Sequence, residues 1–446
     1  MGVERELKFR LDALAARQLP FHPIICLLGA PPRMSTLDSR YFDTADSLLA
    51  HAGMALRLRQ TGQGRVLTIK TSGADALGHA RGEWEWAAAD GEAAFLAEPT
   101  STSASEALAL VDLQRAMRET PLRDLALDPA TLQARLRPVF GTRFERMAWI
   151  LQWRGSRMEL ALDQGACLAS RDSIMTQAPI CEMEIELIDG HWSHCWDLAW
   201  ALAQDLPLHL SATNKAQRAA ALLAGERPQA PAEPGKLPAD TALSEAAQRW
   251  LSTSCAQLAV WAERIDTAED ARDVHQFRVT LRRLRTATRW LQPWQKPRAV
   301  RWFEAEWRWA MQLSGLVRDA DVGLQLLDAS AALAHIQTKA TQAWSASLQT
   351  ERQHQWNILR TYLRSARFGR MLLALGRWAE SWPAQAPAKA QGLTLRDLAQ
   401  RAIRQDHKRW RRALAACQTA LAAMAHGDPA TLSQAKAMAD LHAFRI

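Results

Sequence analysis

No stretch of this 446-residue chain approaches the ~18–20 consecutive apolar residues that a bilayer span needs, and the N-terminus opens on acids and bases, not on an apolar export segment. A membrane partner is therefore not expected. Six cysteines, Cys26, Cys167, Cys181, Cys195, Cys255 and Cys417, lie far apart and form no Cys-x-x-Cys, which argues against a disulfide framework and a structural zinc site. A reducing cytoplasm fits that usage. No Gly-x-x-x-x-Gly-Lys and no Gly-x-Gly-x-x-Gly occurs, which excludes the common nucleotide-binding loops. His22, His51, His79 and His209 show no metal-ligand spacing, and no tandem repeat is present.

What is present divides in two. The chain is long enough for two or three domains. Its net charge of +8 conceals a split: residues 1–235 carry 24 Lys+Arg against 29 Asp+Glu, a net of −5, whereas residues 236–446 carry 31 against 18, a net of +13. Between the halves lies "AGERPQAPAEPGKLPAD", rich in Pro, Ala and Gly and without periodicity, which reads as a linker over 226–240. Residues 1–225 contain short alternating runs separated by Gly and Asp turns, the pattern of an antiparallel sheet. Residues 241–446 are rich in Ala, Leu, Arg and Gln with few β-branched residues, and predict helices broken at Pro293, Pro297, Pro383 and Pro387.

In the strand-like runs one parity is charged and the other apolar. Glu4, Glu6 and Lys8 alternate within "VERELKF", so a strand would project all three from one face about 6–7 Å apart. Arg57 and Arg59 alternate with leucines, Glu83 and Glu85 with tryptophans, and Glu182, Glu184 and Glu186 with Met183, Ile185 and Leu187; Lys70 follows Ile69. A solvated outer face usually mixes uncharged polar residues with charges. Paired carboxylates on some strands and paired bases on others point instead to an organised polar surface.

The ordered series Glu4-x-Glu6-x-Lys8, "YFDT", "ALRLRQ", "LTIK", "RGEWEW", "LALDQG", "CEMEIELIDG" and "NKAQRA" resembles the CYTH domain of triphosphate tunnel metalloenzymes, over about residues 1–225. The resemblance implies an eight-stranded antiparallel barrel whose polar face points inward, flanked by helices. It implies that Glu4, Glu6, Glu184 and Glu186 hold Mg²⁺ or Mn²⁺, with Glu83, Glu85 and Glu182 as further tunnel acids. Lys8, Arg57, Arg59, Lys70, Arg146 and Lys215 would grip the phosphate chain, cations relieving the repulsion between acids and phosphates. Arg143 and Arg146 have opposite parity, so a regular strand turns only one inward, and the resemblance favours Arg146. Asp163 could close a turn before Gly165, Asp43 could cap a helix beginning near Ala45, and Lys215 could be an ordinary lysine near a helix start.

In the second half His275, Arg278, Arg282, Arg285 and Arg289 recur at steps of three and four, with no acid from Val274 to Leu291. One helix face is therefore a cationic stripe. Arg360, Arg364, Arg367 and Arg370 form a second, and Arg404, His407 or Lys408, and Arg411 a third. Gathered together, such stripes suit a polyanion. "VHQFRVTLRRLR" and "LVRDADVGLQLL" resemble the CHAD domain, an all-α module of two related bundles, and the resemblance implies binding of inorganic polyphosphate. "DLHAFRI" begins a second signature with His442 and Arg445 and then stops, so the second bundle is expected to be incomplete.

The two resemblances thus imply a metal-dependent hydrolase of inorganic triphosphate followed by a polyphosphate-binding helical domain, expected to be cytoplasmic and associated with polyphosphate granules. A polyphosphate-binding protein without turnover, and a tunnel enzyme acting on thiamine triphosphate or cyclising ATP, are the alternatives. Nucleic acid is not an expected partner, since no recognition motif accompanies the basic half.

Overall fold

The computed structural model describes residues 2–62, 64–71, 73, 77, 80–88, 108–171, 174–334, 339–385 and 390–425. Eight antiparallel strands close on themselves: β1 (Gly2–Arg10), β2 (Arg33–Asp43), β3 (Met54–Thr61), β4 (Gly64–Thr71), β5 (Ala80–Ala87), β6 (Arg137–Trp153), β7 (Ser156–Arg171) and β8 (Ile174–Asp189). The order is β5-β4-β3-β2-β6-β7-β8-β1, and the first half of β1 returns to pair with β5, which completes the ring. A two-residue strand, β9 (His209–Leu210), pairs with the end of β1. The tight β6–β7 hairpin turns on Arg154 and Gly155, both at positive φ, as a two-residue hairpin loop requires.

Apolar parity faces outward. After three short helices, α1 (Ala13–Gln18), α2 (Pro23–Leu28) and α3 (Leu48–His51), come α4 (Leu110–Glu119) and α5 (Pro129–Arg135), beneath which Leu56, Leu58, Leu67 and Ile69 pack and where Leu113 and Leu132 are fully buried. On the other side Leu7, Phe9 and Ile185 join Trp196 of α6 (Trp192–Leu202). This second core does not stop at the barrel. It continues into the helical half, through Leu251 and Leu258 of α8 (Leu243–Thr267), Phe277 of α9 (Ala271–Leu291), Trp307 of α10 (Pro297–Ala334), Trp356 of α11 (Lys339–Leu363) and Phe368 of α12 (Ala366–Gln385). Gly376 on α12 is needed for that docking, since a Cβ there would lie 2.6 Å from the Trp196 ring. The last described helix, α13 (Leu395–Ala425), joins this core through Leu398, and its Asp406 accepts a hydrogen bond from Trp290 of α9 at 3.2 Å.

The Pro/Ala-rich connector is ordered along the helical half. Arg227 forms ion pairs with Asp270 at 2.9 Å and with Asp273 at 2.5 Å, and Gln257 donates to the Pro231 carbonyl at 3.0 Å. Pro297 opens α10, as expected, but Pro383 sits inside the last turn of α12 and does not break it.

Candidate active site

Strand alternation delivers the charged parity to the lumen, and cross-strand register sorts it into rows. Glu6, Glu186 and Glu159 are partners across β1, β8 and β7; Lys8, Glu184 and Ala161 form the next row, and Arg10, Glu182 and Asp163 the next. On the opposite wall Lys70 pairs with Glu83, and Arg57 with Thr68 and Tyr41. These rows enclose a cavity of about 850 Å³.

The basic wall is largely compensated. Lys70 Nζ lies 2.8 Å from Glu4 and 3.0 Å from Glu83, while Arg57 reaches Glu85 and the Thr68 hydroxyl at 3.0 Å. Burial works against both charges, but Glu4 for Lys70, and Tyr41, Glu85 and Glu83 for Arg57, raise their pKa values above the ordinary ones. Lys8 is paired with Glu6, and Arg81 lies 2.6 Å from the same carboxylate. Arg146 forks onto both oxygens of Asp163 at 2.7 Å and reaches Glu184 at 2.5 Å.

Lys215 is the first residue of α7 (Lys215–Ala224), a helix started by a reciprocal cap between Asn214 and Gln217. That cap fixes the entry angle and drives the Lys215 side chain into the barrel, where it meets Asp163 at 2.8 Å, Glu184 at 2.9 Å and Glu182. Burial alone would lower its pKa, yet the three carboxylates raise it well above the lysine range. Burial would likewise raise Glu184, but Lys215, Arg146 and Lys8 hold it well below the carboxylate range.

Arg59 and Glu186 meet no opposite charge at ion-pair distance among the described residues. Arg59 donates to the Ser39 hydroxyl at 3.1 Å and lies over the Phe144 ring, with no carboxylate in ion-pairing range among the described residues. Burial, together with the neighbouring Arg57 and Arg146, pulls its pKa down. Glu186 has no cation within ion-pairing distance among the described residues, and burial plus the charges of Glu4, Glu6 and Glu159 push it up to about 8. One lumen therefore contains an uncompensated cation and an uncompensated acid.

A cation site can be tested against this arrangement. The carboxylate oxygens of Asp163, Glu182 and Glu184 lie within 4.8 Å of one another, but the Lys215 ammonium already occupies the position among them that a metal would take. Glu186 with Glu4, Glu6 and Glu159 is an all-oxygen set with one member lacking a counter-ion, although its oxygens are not gathered within 4.8 Å of one another as those of Asp163, Glu182 and Glu184 are.

Every expected residue of residues 1–225 faces the lumen or, for Glu182, is buried directly behind Lys215. Arg143 points outward and pairs with Asp38 at 2.6 Å. Asp43 accepts backbone hydrogen bonds from Thr44, Leu49 and Ala50, which is a capping role, over a helix that starts at Leu48. Asp163 closes no turn: it is fully buried in mid-strand, against the expectation from Gly165, because Gly165 serves the close approach of the Phe144 backbone. Lys215 is a buried lysine and not a surface one. Arg81, Glu159 and Tyr41 were missed, although Arg81 shares the parity of Glu83 and Glu85 and was open to the same reading.

In the helical half Arg278 donates to the Met311 carbonyl at 2.7 Å, and neither it nor Arg282 or Arg285 meets a carboxylate at ion-pair distance among the described residues. Burial, with Arg318, Arg282 and Arg278, lowers the pKa of His275. Arg289 pairs with Asp406 at 3.3 Å. The stripe at Arg360, Arg364, Arg367 and Arg370 is not a free basic surface: Arg360 binds Glu269, Arg364 binds Asp266, Arg367 binds Glu306, and Arg370 donates to the Ala203 carbonyl. His442 and Arg445 lie outside the described residues.

A closed antiparallel barrel with interleaved acids and bases in its lumen, followed by an α-helical region with a basic face, is the architecture of a tunnel protein. Residues 2–220 match the CYTH domain family and residues 249–446 the CHAD domain family, so the chain is a CYTH domain followed by a CHAD domain. It is 30% identical over 187 residues to an inorganic triphosphatase of Haemophilus influenzae, a match covering 41% of this chain and 44% of that relative's length. The chain thus spans less than half of that relative. Among solved structures, a candidate adenylyl cyclase from Hippeastrum, described as revealing a dominant triphosphatase activity, is 17% identical and covers 50% of this chain and 96% of its own, with a TM-score of 0.34. The CHAD domain from the plant Ricinus communis is 26% identical over 42% of this chain and 60% of its own, with a TM-score of 0.33. No helix among the described residues is long and apolar enough to cross a membrane.

Proposed function

We propose that the barrel hydrolyses inorganic triphosphate to pyrophosphate and phosphate with the help of Mg²⁺ or Mn²⁺. The observation that carries this reading is the coexistence of Arg59 and Glu186, an unneutralised cation and an unneutralised acid, in one lumen. A phosphate chain that arrives with a divalent cation satisfies both at once. An anion alone leaves Glu186 repelled by its neighbours, and a metal alone leaves Arg59 unpaired.

Glu4, Glu6, Glu184 and Glu186, joined by Glu159, would hold the cation, which when bound supplies polarisation of a phosphoryl oxygen and orientation of a water. Arg57, Arg59 and Lys70 would bind the chain along one wall, with Lys8, Arg146 and Lys215 on the other. Lys215 and Arg146 would shift from Asp163, Glu182 and Glu184 to phosphate oxygens, freeing Glu184 for the cation. Once engaged with the chain, these cations would stabilise charge that develops on the departing phosphate without reorganising solvent. Cavity volume does not single out an organic group, so inorganic triphosphate is preferred to ATP or thiamine triphosphate. The relative's activity on inorganic triphosphate supports that choice.

The helical domain binds inorganic polyphosphate on this reading, through the face of His275, Arg278, Arg282 and Arg285, with Arg289 partly engaged by Asp406. Both domains would then act in the cytoplasm, near polyphosphate granules. The deciding assay is phosphate release from tripolyphosphate, ATP, thiamine triphosphate and long-chain polyphosphate with Mg²⁺, Mn²⁺ or chelator. Metal-dependent release from tripolyphosphate above the others is expected. Binding without release would leave a phosphate-holding protein instead.

A further inference from the structure

Arg218 follows Lys215 by one turn of α7 and approaches the same carboxylate. Its Nη1 donates to Glu182 Oε2 at 3.2 Å, while Lys215 holds the other oxygen. On its outer side Arg218 Nε lies 3.9 Å from Oε1 of Glu263, which belongs to α8 of the helical half, and the same oxygen is 3.7 Å from Arg10 Nη1. Charges therefore alternate from the lumen into the other domain: Lys215, Glu182, Arg218, Glu263, Arg10. The Glu182 side chain is 1% exposed, Arg218 10% and Glu263 14%, so water screens little of the interaction.

We infer that Glu263 of the helical half sets, through Arg218 and Glu182, how firmly Lys215 is held and so how readily it turns to an incoming phosphate chain. The inference rests on the lumen being a triphosphate site. To reach a phosphate oxygen Lys215 must loosen its contacts with Asp163, Glu184 and Glu182. The cost falls as Arg218 neutralises more of Glu182. Glu263 competes with Glu182 for Arg218, and Arg10 in turn competes with Arg218 for Glu263. Arg218 and Glu263 are thus positioning residues that touch no substrate, and the helical domain tunes the tunnel by docking.

Competition along an alternating series gives opposite signs at adjacent members. Arg218→Gln leaves Lys215 as the main counter-charge of Glu182, so tripolyphosphate binding should weaken about tenfold or more. Glu263→Gln releases Arg218 toward Glu182, so binding should tighten about threefold, with Glu263→Asp returning toward the wild type. The probe is tripolyphosphate, titrated calorimetrically into the full chain with chelator present, and KM and kcat measured separately with Mg²⁺. The shift should appear in Kd and KM more than in kcat. A purely structural role would move both variants the same way. Shifts of equal sign, or no shift in either, overturn the inference. Should Arg218→Gln fail to fold, the Glu263→Gln and Glu263→Asp pair decides it by the same signs. Wild-type protein that binds tripolyphosphate without hydrolysing it overturns the triphosphatase reading, while the titration still tests the series; wild-type protein that neither binds tripolyphosphate with chelator nor hydrolyses it with Mg²⁺ overturns both.

Discussion

Glu6 and Glu186 stand directly opposite each other as cross-strand partners on β1 and β8, and Glu159 completes the row as the β7 partner of Glu186. Three carboxylates side by side on one face of a sheet oppose folding unless a cation joins them. Arg33 reaches Glu159 at 3.2 Å and Lys8 holds Glu6, which leaves the middle member repelled from both sides.

Removing that charge should stabilise the metal-free protein. Glu186→Gln is expected to raise the unfolding free energy by about 0.2–1 kcal/mol per relieved cross-strand repulsion. The pH dependence follows from the raised pKa of about 8. Folded protein retains a proton that the unfolded chain has lost between the ordinary glutamate range and pH 8, so stability is greatest at the low end and falls as pH rises through about 8. Denaturant melts of wild type and variant at pH 5.5, 7 and 8.5 would show the gap widening with pH. A gap that stayed constant would mean Glu186 is already compensated.

The same charge should be indispensable to function. Glu186→Gln, Glu4→Gln and Glu6→Gln are each expected to abolish metal-dependent phosphate release while leaving the barrel folded. Mg²⁺ titration, followed by thermal shift, should raise the wild-type melting temperature and fail to raise that of the variants. Full turnover by a Glu4→Gln, Glu6→Gln double variant would remove these acids from the site.

Much of this lumen was legible because a strand repeats every two residues. Charges at Glu4, Glu6 and Lys8, or at Glu182, Glu184 and Glu186, declare a face without any knowledge of the partner strand. Lys215 was less legible, since its inward direction comes from the Asn214–Gln217 cap and from the path of the chain before it, not from a period. Asp163 was obscured by the nearby glycine, whose purpose is tertiary. The stripe at Arg360, Arg364 and Arg367 misled for a related reason. Helical spacing reports neighbours on the same helix, whereas Glu269, Asp266 and Glu306 reach these arginines from elsewhere in the chain.

Arg57 and Arg59 are two residues apart on one strand, yet should respond differently to truncation. Arg57→Ala leaves Glu85 and Glu83 without their guanidinium, so it should lower both stability and phosphate affinity. Arg59→Ala removes a cation with no carboxylate at ion-pair distance among the described residues, so stability should hold or rise. Its cost should fall on tripolyphosphate, at about 1.5–3 kcal/mol of a lost charge-assisted contact. Paired measurements of melting temperature and kcat/KM distinguish the two. Equal loss of stability in both would show that Arg59 has a protein counter-charge.

Polyphosphate binding should use the face of α9 carrying Arg278, Arg282 and Arg285, which meet no carboxylate at ion-pair distance among the described residues, and not the stripe whose arginines do. Reversal of Arg278, Arg282 and Arg285 to Glu should weaken binding of long-chain polyphosphate far more than reversal of Arg360, Arg364 and Arg367, whose charges are taken up by Glu269, Asp266 and Glu306. The second set should lower the melting temperature instead, because each reversal places two acids together. Wild-type affinity should fall steeply with salt as the polyanion's released counterions become less favourable to release. It should also be higher at pH 5.5 than at pH 7.5, because burial and the nearby arginines hold the His275 pKa below the ordinary histidine value and a bound polyanion favours its protonated form. Titrations of labelled polyphosphate at several salt concentrations and at pH 5.5 and 7.5 test each of these. Affinity unaffected by the first reversal set and by salt would remove α9 as the polyanion surface.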